Sequence, residues 1–220
     1  MQNINSKYQK IINVINSNSK YSSENGHIST IAVTKNQKQH IIREALDSGI
    51  RIFGENRVQE AEQKFLDLKE TFKDIELHMI GPMQTNKVKK ALGLFDYFHT
   101  LDREKLAKEF FKCMQIEKLN KFFFIQINTG LEEQKAGIFP AQANEFIKYC
   151  IKDLKLNILG LMCIPPIDED PKDHFLLLKK ISIENNLKNL SMGMSNDYEI
   201  ALSCGATHVR IGSYFFGERN

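Results

Sequence analysis

The length and composition of this chain limit the classes of protein it can belong to. Its 220 residues are 42% hydrophobic and 26% charged, which predicts one globular domain over residues 1–220 with a sizeable core. Lys and Arg number 30 against 27 Asp and Glu, a balance that provides no strong field for gathering nucleic acid or anionic lipid. No stretch approaches the roughly 20 apolar residues that cross a bilayer, and the N-terminus is too polar for a signal peptide. We therefore expect a cytoplasmic protein without a nucleic-acid or membrane partner.

The first predicted element is an amphipathic helix at the N-terminus. Its apolar positions are Ile4, Tyr8, Ile11, Ile12 and Ile15. This spacing follows the helical period and predicts one apolar face.

Eight short apolar runs, alternating with helical patterns, follow this helix. The runs are HISTIAV from His27, IRIF from Ile50, ELHMI from Glu76, FDYFHT from Phe95, FFFIQIN from Phe122, LNILGLMCI from Leu156, NLSMG from Asn189 and THVRIG from Thr207. Strands that alternate with helices indicate a parallel sheet with crossover helices. Eight such units predict a closed (β/α)8 barrel of the TIM type, and an open doubly wound sheet is the alternative.

Several residues mark the predicted ends of the helices. The markers are Gly49 after the helix that contains Ile41 to Leu46, Asp102 as an N-cap, Pro140 and Pro171 in first turns, and Asn196 with Glu199 as a capping box whose helix ends at Gly205.

A barrel predicts where a ligand binds, because active sites of this fold lie at the carboxyl ends of the strands. Polar residues and glycines collect after the predicted strands. They include Thr34 and Lys35, Glu55 and Asn56, Ile80 and Gly81, His99 and Thr100, Gln126 and Asn128, Met162 and Cys163, Gly193 to Ser195, and Arg210 to Ser213.

The turns after the last two strands have the character of a phosphate site. Ser195 follows Gly193 and Met194, and Ser213 follows Gly212. Backbone amides at glycine-bearing turns can approach an anion closely, and loops after strands seven and eight of such barrels often hold phosphate. The alternative is that Ser195 or Asn196 only caps the next helix.

Lys35 follows the apolar run HISTIAV instead of lying on a helix face. Apolar surroundings favour the neutral amine that Schiff-base formation requires. A phosphate cradle and such a lysine together suggest a phosphorylated aldehyde cofactor. An ordinary surface lysine is the alternative.

Other candidate site residues lie at the ends of strands two and eight. Arg210 alternates with Val209 and Ile211, so it points to the opposite side of the strand from them. In a barrel interior it would need a carboxylate or a ring nitrogen as partner. A buried structural salt bridge is the alternative. Glu55 is a candidate general base or a dipole partner of its helix, and Asn56 is a candidate hydrogen-bonding residue.

Metal and acyl-transfer chemistry have no support in the sequence. The four cysteines are far apart without a CxxC pair, which predicts reduced, half-buried thiols and no zinc. The six histidines are dispersed and are expected to be mostly structural. Phosphate-loop, GxGxxG, HExxH and GxSxG motifs are all absent.

Taken together, the motifs of this chain resemble those of the pyridoxal phosphate homeostasis protein family, whose fold is like the N-terminal barrel of alanine racemase. The resemblance runs from about Ile31 to Arg219. It is carried by IAVTK, FGENRVQE, HMIGPMQTNK, QINTGLEEQKAGI, GLMCIPP, SMGMSND and VRIGSYFFGER.

This resemblance implies pyridoxal 5′-phosphate (PLP) held as a Schiff base. The matching positions are Lys35 for attachment, Gly212, Ser213, Ser195 and the backbone near Met194 for the phosphate, Arg210 for the pyridine nitrogen, and Asn56 and Ile80 near the ring. An arginine at that nitrogen leaves it unprotonated, so the ring is a weaker electron sink than with an aspartate.

The family also implies a carrier or regulator of cofactor supply without clear turnover and without catalytic residues. Apo-enzymes that use PLP are possible partners, and a monomer is expected. The chain ends at Asn220, so we expect the second domain of alanine racemases, and hence efficient racemisation, to be absent. The alternatives are a PLP-dependent racemase-type enzyme and a cofactor-free, aldolase-like barrel that uses Lys35.

The departures from the family pattern are modest. Leu77 stands where an aromatic residue is common, Met83 replaces a branched aliphatic residue, and Ser213 stands where threonine is frequent. Ser213 keeps the hydroxyl group, so PLP binding is still expected.

Overall fold

The computed structural model describes residues 4–17 and 28–217, in which eight parallel strands close into a barrel. The strands are β1 (Ser29–Val33), β2 (Ile52–Glu55), β3 (Glu76–Met79), β4 (Tyr97–Leu101), β5 (Phe122–Gln126), β6 (Asn157–Met162), β7 (Asn189–Met194) and β8 (His208–Ile211). Each strand pairs with the next one, and β8 pairs with β1, placing Ile31 beside Arg210. The predicted (β/α)8 barrel is confirmed, and the open doubly wound alternative is wrong.

A helix follows every strand, and one more precedes β1. The helices are α1 (Ile4–Ser17), α2 (Gln39–Asp47), α3 (Val58–Thr71), α4 (Val88–Leu92), α5 (Glu104–Glu117), α6 (Pro140–Lys148), α7 (Pro171–Glu184), α8 (Tyr198–Cys204) and α9 (Ser213–Phe216). A 3₁₀ turn at Thr85–Lys87 precedes α4, and a π-helical turn at Tyr149–Asp153 extends α6. His27, Glu218 and Arg219, which belong to predicted motifs, lie outside the described residues.

The predicted helix boundaries at Gly49, Pro140 and Pro171 are confirmed. Gly49 follows α2 with a φ of 87°, a left-handed conformation that glycine adopts readily. Pro140 and Pro171 are the first residues of α6 and α7, where a missing amide hydrogen costs nothing. Asp170 caps α7, accepting a hydrogen bond of 2.9 Å from the amide of Lys172.

The predicted N-cap at Asp102 is wrong. Helix α5 begins at Glu104 after an extended Arg103, and no side chain caps its first turn. The carboxylate of Asp102 pairs instead with the guanidinium of Arg103. A charged neighbour thus competes successfully for the oxygen that would cap the helix.

The capping box at Asn196 and Glu199 is also wrong, although its helix does end at Gly205. Helix α8 begins after Asp197, whose Oδ1 accepts a hydrogen bond of 2.5 Å from the amide of Met194. Glu199 accepts from the hydroxyl of Tyr198. The side chains of this loop therefore form hydrogen bonds with the last residue of β7 or with a neighbouring side chain, and the reciprocal hydrogen bonds of a capping box do not form.

The core has two layers of different character. Aromatic and aliphatic side chains fill the space between strands and helices, as where Phe98 packs on Phe110 and Phe123 with ring centroids 4.7 and 5.5 Å apart. The barrel interior contains few apolar side chains and several buried polar ones. Its apolar members include Ile31, Ile80, Phe124 and Met162, and its polar members include His78, His99, His208, Ser191 and Arg210.

The predicted N-terminal helix is present and packs against the end of the barrel fold. Ile11 and Ile15 of α1 are buried, and the ring of Tyr8 lies edge-on to Phe215 at 6.0 Å. Lys7 Nζ donates a hydrogen bond of 3.2 Å to the carbonyl of Phe215. Because Phe215 belongs to α9, α1 supports the turn that follows β8.

Three further observations concern the cysteines, metal binding and membrane-spanning helices. Cys113, Cys150, Cys163 and Cys204 are free thiols, but they are buried and not half-buried, because each lies in the apolar layer. Within residues 4–17 and 28–217, no group of His, Cys, Asp and Glu is arranged to hold a metal ion. In the same ranges no helix has the length and apolar character needed to span a bilayer.

Candidate functional site

A cavity of about 600 Å³ lies at the carboxyl ends of the strands and brings the predicted site together. Every residue predicted to hold the ligand lines it. These residues are Lys35, Asn56, Ile80, Met194, Ser195, Arg210, Gly212 and Ser213. They come from five strand ends, and the pairing order places β7, β8, β1, β2 and β3 side by side. Barrel closure therefore assembles residues from both ends of the chain in one place.

Two turns form one wall of this cavity. Gly212 donates its amide hydrogen to Ser195 Oγ over 3.3 Å, which joins the turn after β7 to the turn after β8. The amides of Ser195, Asn196 and Ser213 have no acceptor among the described residues. Three such amides beside two serine hydroxyls suit a ligand with several acceptor oxygens, such as a phosphate group.

Gly193 determines the shape of the first of these turns. Its φ is 90°, and a Cβ atom there would lie 2.5 Å from the Cβ of Ala201 and 3.1 Å from the Cα of Tyr198. Only glycine therefore lets α8 approach the end of β7 this closely. The close approach positions Ser195 at the cavity.

Arg210 provides a buried cation at the cavity floor. Its Nη1 donates to the carbonyl and the hydroxyl of Ser191 over 2.8 and 2.7 Å, and its Nη2 donates to the carbonyl of Cys163 over 2.9 Å. No carboxylate of the described residues forms an ion pair with it, so the salt-bridge alternative is not supported. Burial lowers the pKa of Arg210, with Asp197 acting in the opposite direction. Its neutral partners leave the positive charge available to a ligand.

Lys35 lies two residues after β1, in a loop whose backbone is held by hydrogen bonds from α3. Lys64 Nζ donates to the carbonyl of Thr34 over 2.7 Å and to Glu60 Oε1 over 2.5 Å. The same oxygen of Glu60 accepts the amide hydrogen of Asn36 over 2.5 Å. The residues on both sides of Lys35 are therefore bound to one buried ammonium group and its carboxylate partner.

Glu55 belongs to the same anchor and does not line the cavity. Its Oε1 accepts from Thr34 Oγ1 over 2.7 Å and from Lys64 Nζ over 3.0 Å. The side chain is fully buried at the end of β2, and this burial raises its pKa despite the nearby ammonium. The hypothesis that Glu55 is a general base for the cavity is therefore wrong, since its partners belong to the fold.

Asn56 and Ile80 lie on the wall formed by β2 and β3. A Cβ atom on Gly81 would lie 2.3 Å from the carbonyl oxygen of Asn56, and one on Gly54 would lie 2.9 Å from Cδ1 of Ile80. Two glycines thus allow the strand ends to approach each other. The amide side chain and the apolar side chain consequently line the same cavity.

Sequence reasoning missed the loop after β6, which also lines the cavity. Ile164, Pro165, Pro166 and Ile167 line the cavity, and Ile167 is 95% exposed. The dipeptide Pro165–Pro166 directly after a predicted strand was the available signal, because it demands an extended loop at the binding end of the barrel. Glu169, Asn196 and Asp197 were also missed as lining residues.

Three of the six dispersed histidines meet inside the barrel. The ring centroids of His78 and His99 are 5.0 Å apart, and those of His99 and His208 are 6.0 Å apart. Their separation along the sequence hid this cluster. Alternation within β3, β4 and β8 was the signal that could have found it, since each histidine occupies an inward position.

A second cavity of about 710 Å³ lies beside the first one and shares Asn56 with it. Arg57, Lys87 and Arg103 also line it, but neither Lys35 nor the serine turns do. It is larger, yet the residues with cofactor chemistry meet in the 600 Å³ cavity.

The unusual residue Leu77 lies away from the candidate site. It is fully buried in the layer between strands and helices, whereas the adjacent His78 faces the interior. Leu77 therefore does not line the cavity.

Comparison with known proteins agrees with this geometry. The family model described as alanine racemase, N-terminal domain, matches residues 14–220. The pyridoxal phosphate homeostasis protein of Aquifex aeolicus is 40% identical over 198 residues, which cover 86% of each chain. This chain belongs to the pyridoxal phosphate homeostasis protein family. The resemblance read from the sequence motifs is thereby confirmed.

Solved structures of the family have the same fold. PipY of Synechococcus elongatus without PLP is 33% identical, has a TM-score of 0.81, and matches over 86% of this chain and 93% of its own. The PipY structure with PLP bound is 32% identical with a TM-score of 0.78, over 86% and 92% of the two chains. A family member with this barrel thus holds PLP.

Proposed function

We propose that the protein binds PLP in the 600 Å³ cavity and takes part in PLP homeostasis. The observation that carries the proposal is that all eight residues predicted from the sequence to hold the cofactor line this one cavity. The names of its relatives and the PLP-bound PipY structure support the same function. The cytoplasmic location, the single domain over residues 1–220 and the monomeric state remain predictions.

The chemistry of the cavity fits PLP at both ends of the cofactor. Ser195, Ser213 and the adjacent amides are donors for the phosphate, and Gly212 allows the backbone to approach it. Arg210 is a donor for the ring nitrogen, which is an acceptor when unprotonated. Asn56 and Ile80 supply a polar and an apolar contact to the ring.

Lys35 is the residue we assign to covalent attachment. When bound, PLP supplies an aldehyde that forms a Schiff base with a neutral amine, and a ring that withdraws electrons. The anchored loop around Lys35 holds its backbone in place at the cavity rim. The role of the chain is then to hold the amine at a fixed position relative to Arg210 and the serine turns.

We further propose that the protein carries PLP without turnover of its own. The relatives are named as homeostasis proteins. Two carboxylates of the described residues line the cavity: Asp197 is bound to the amide of Met194, and Glu169 contacts His174 on α7. Arg210 favours an unprotonated ring nitrogen, which weakens electron withdrawal. Delivery of PLP to apo-enzymes is the corresponding partner function.

Absorbance spectra of the purified protein with added PLP test the binding proposal. We expect a visible band that borohydride removes, with the reduced cofactor on the peptide that contains Lys35. Lys35→Ala should lack the band. Lys38→Ala is the matched control, because Lys38 is exposed in the same loop and does not line the cavity.

The same experiment distinguishes the alternatives. A colourless protein that borohydride nevertheless links to a phosphorylated ketone or aldehyde would favour an aldolase-like function. Racemisation of amino acids by the PLP-loaded protein, above the level of Lys35→Ala, would show an enzyme instead of a carrier.

A further inference from the structure

A continuous line of hydrogen bonds runs through the barrel interior, from the partly exposed Glu76 to the buried Arg210. Glu76 Oε1 lies 2.8 Å from His78 Nε2, and His78 Nδ1 lies 2.8 Å from His99 Nε2. His99 Nδ1 lies 2.8 Å from Ser191 Oγ, which is 2.7 Å from Arg210 Nη1. The line begins at the first residue of β3 and crosses to β4, β7 and β8.

The chemistry of the two ends determines the direction of every bond in this line. A carboxylate only accepts, so His78 Nε2 carries a hydrogen and donates to Glu76. A guanidinium only donates, so Ser191 Oγ accepts from Arg210 and gives its own hydrogen to His99 Nδ1. With both imidazoles neutral, His99 Nε2–H donates to His78 Nδ1. All donors then point from Arg210 towards Glu76, and no group is left unsatisfied.

Burial favours the neutral imidazoles that this arrangement needs. Desolvation lowers the pKa of His78 and lowers that of His99 well below 6.5. Packed rings also hold the two imidazoles in place, since Tyr97 stacks on His78 at 4.4 Å and Phe124 stacks on His99 at 4.3 Å. Each imidazole therefore has one tautomer and one orientation, which its two hydrogen-bond partners select.

We propose that Ser191, His99 and His78 are positioning residues. They hold the guanidinium of Arg210 so that it donates a hydrogen bond into the cofactor cavity. Glu76, which can only accept, sets the direction of the hydrogen bonds along the line. This inference rests on the proposed function. Arg210 meets PLP, whereas the other residues act through Arg210. Ser191 is not among the residues that line the cavity, and its carbonyl and hydroxyl oxygens both accept from Nη1, which restricts the rotation of the guanidinium plane.

A polar line of this length is costly to bury and is not needed to fill a barrel. Interiors of this fold are normally filled with branched aliphatic side chains. Here five side chains with polar heads lie in a row from Glu76 to Arg210. Burying such groups is tolerated when every donor and acceptor is satisfied, and the result is a rigid and specific arrangement.

Nitrogen NMR of the PLP-free protein tests the line directly. We expect both His78 and His99 to be neutral, with hydrogen on Nε2 and none on Nδ1. Ser191→Ala removes the donor to His99 Nδ1, so the ring signals of both histidines and the guanidinium signals of Arg210 should shift. Hydrogen on Nδ1 of either imidazole in the wild type would overturn the proposal, and this measurement needs no variant to fold.

PLP binding provides the second measurement. Ser191→Ala should raise the PLP dissociation constant about tenfold, the loss expected from one misplaced charge-assisted hydrogen bond, and should shift the absorption maximum of the bound cofactor. Ser191→Thr keeps the hydroxyl and should restore both values. Ser182→Ala is the matched control, because it removes a buried serine hydroxyl on α7 that, among the described residues, bonds only the carbonyl of Lys179.

The outcomes separate this inference from the proposed function. Ser191→Ala with guanidinium signals, absorption maximum and PLP affinity equal to those of Ser182→Ala would overturn the positioning role. If the wild-type protein gave no absorbance band with PLP, the proposed function would fail. The nitrogen spectra would in that case still decide whether the line fixes Arg210.

Discussion

Lys64 Nζ donates a hydrogen bond of 2.7 Å to the carbonyl oxygen of Thr34, the residue directly before Lys35. A buried lysine of helix α3 therefore holds the loop that presents the proposed attachment lysine. The side chain of Lys64 is 11% exposed, and that of its partner Glu55 is 0% exposed. Removing one member of such a pair leaves the other charge without compensation in the interior.

Lys64→Met is predicted to destabilise the protein and weaken PLP binding. Breaking a buried ion pair costs about 3–5 kcal/mol, which urea unfolding of the PLP-free protein measures. Lys69→Met is the control, because Lys69 also lies on α3 and pairs with Asp96, but at a part-exposed position. Solvent screens a part-exposed pair, so Lys69→Met should cost less stability than Lys64→Met. Equal losses of stability in the two variants would contradict the anchor role of Lys64.

The pH dependence of stability should report the buried histidine His99. Desolvation lowers its pKa well below 6.5, with additional repulsion from His78, His208 and Arg210. Below pH 6.5 the unfolded chain binds a proton that the folded protein does not, so stability falls as the pH is lowered. The slope is at most about 1.4 kcal/mol per pH unit for one histidine.

Urea unfolding of the PLP-free protein from about pH 7 to about pH 5, the range in which histidine titrates, checks this prediction. His99→Gln should show a shallower fall in stability than the wild type over this interval. His40→Gln, at an exposed position on α2, serves as the control and should follow the wild type. A slope unchanged by His99→Gln would show that other groups cause the acid sensitivity.

Gly193→Ala should lower the stability of the protein by more than the left-handed backbone conformation at this position explains. Gly193 and Gly49 have similar φ values of 90° and 87°. A Cβ atom at position 193 would lie 2.5 Å from Ala201, whereas one at position 49 has nothing within 4 Å. Gly49→Ala should cost about 1–2 kcal/mol from the backbone, and Gly193→Ala about 1–3 kcal/mol more from overpacking.

Thermal or urea unfolding of both glycine variants gives these losses. Gly193→Ala should also raise the PLP dissociation constant, because displacing α8 moves Ser195. A Gly193→Ala protein as stable as Gly49→Ala would mean that α8 can shift without cost.

The two serines of the turns are predicted to recognise the phosphate group. Ser195→Ala with Ser213→Ala should weaken PLP binding about a hundredfold or more, since each lost hydrogen bond to a charged group is worth about 1.5–3 kcal/mol. Binding of pyridoxal, which lacks the phosphate, should change little. Ser203→Ala is the control, because Ser203 is exposed and bonds only within α8. Equal weakening for PLP and pyridoxal would place the phosphate elsewhere.

Local patterns were sufficient to predict the barrel and eight of the residues that line its cavity. The alternation of apolar runs and helices predicted eight strands, because each strand and helix must bury one face whatever its partners are. Lys35 and Ser213 could then be placed at the same end of the barrel, since carboxyl ends of parallel strands share one edge. Pro140 and Pro171 marked helix starts because proline restricts its own backbone.

The predictions that failed depended on competition between partners. Asp102 and Asn196 have side chains suited to capping, but Arg103 and the end of β7 determined where the nearby carboxylates bond. Glu55 carried a polar side chain at a strand end, and only the position of Lys64 on α3 shows that it belongs to an anchor. A sequence does not reveal which of several available partners lies closest.

The sequence by itself determined the strand and helix order, the family, and the eight cavity-lining residues predicted to hold the ligand, because these follow from backbone preferences, side-chain alternation and motifs. Only the tertiary structure decided that His78, His99, Ser191 and Arg210 form one line through the barrel. Their positions span more than a hundred residues, and the closure of β8 on β1 together with the inward alternation of four strands brings them within hydrogen-bonding distance. Hydrogen bonds depend on distances of a few tenths of an ångström, which packing sets and periodicity does not.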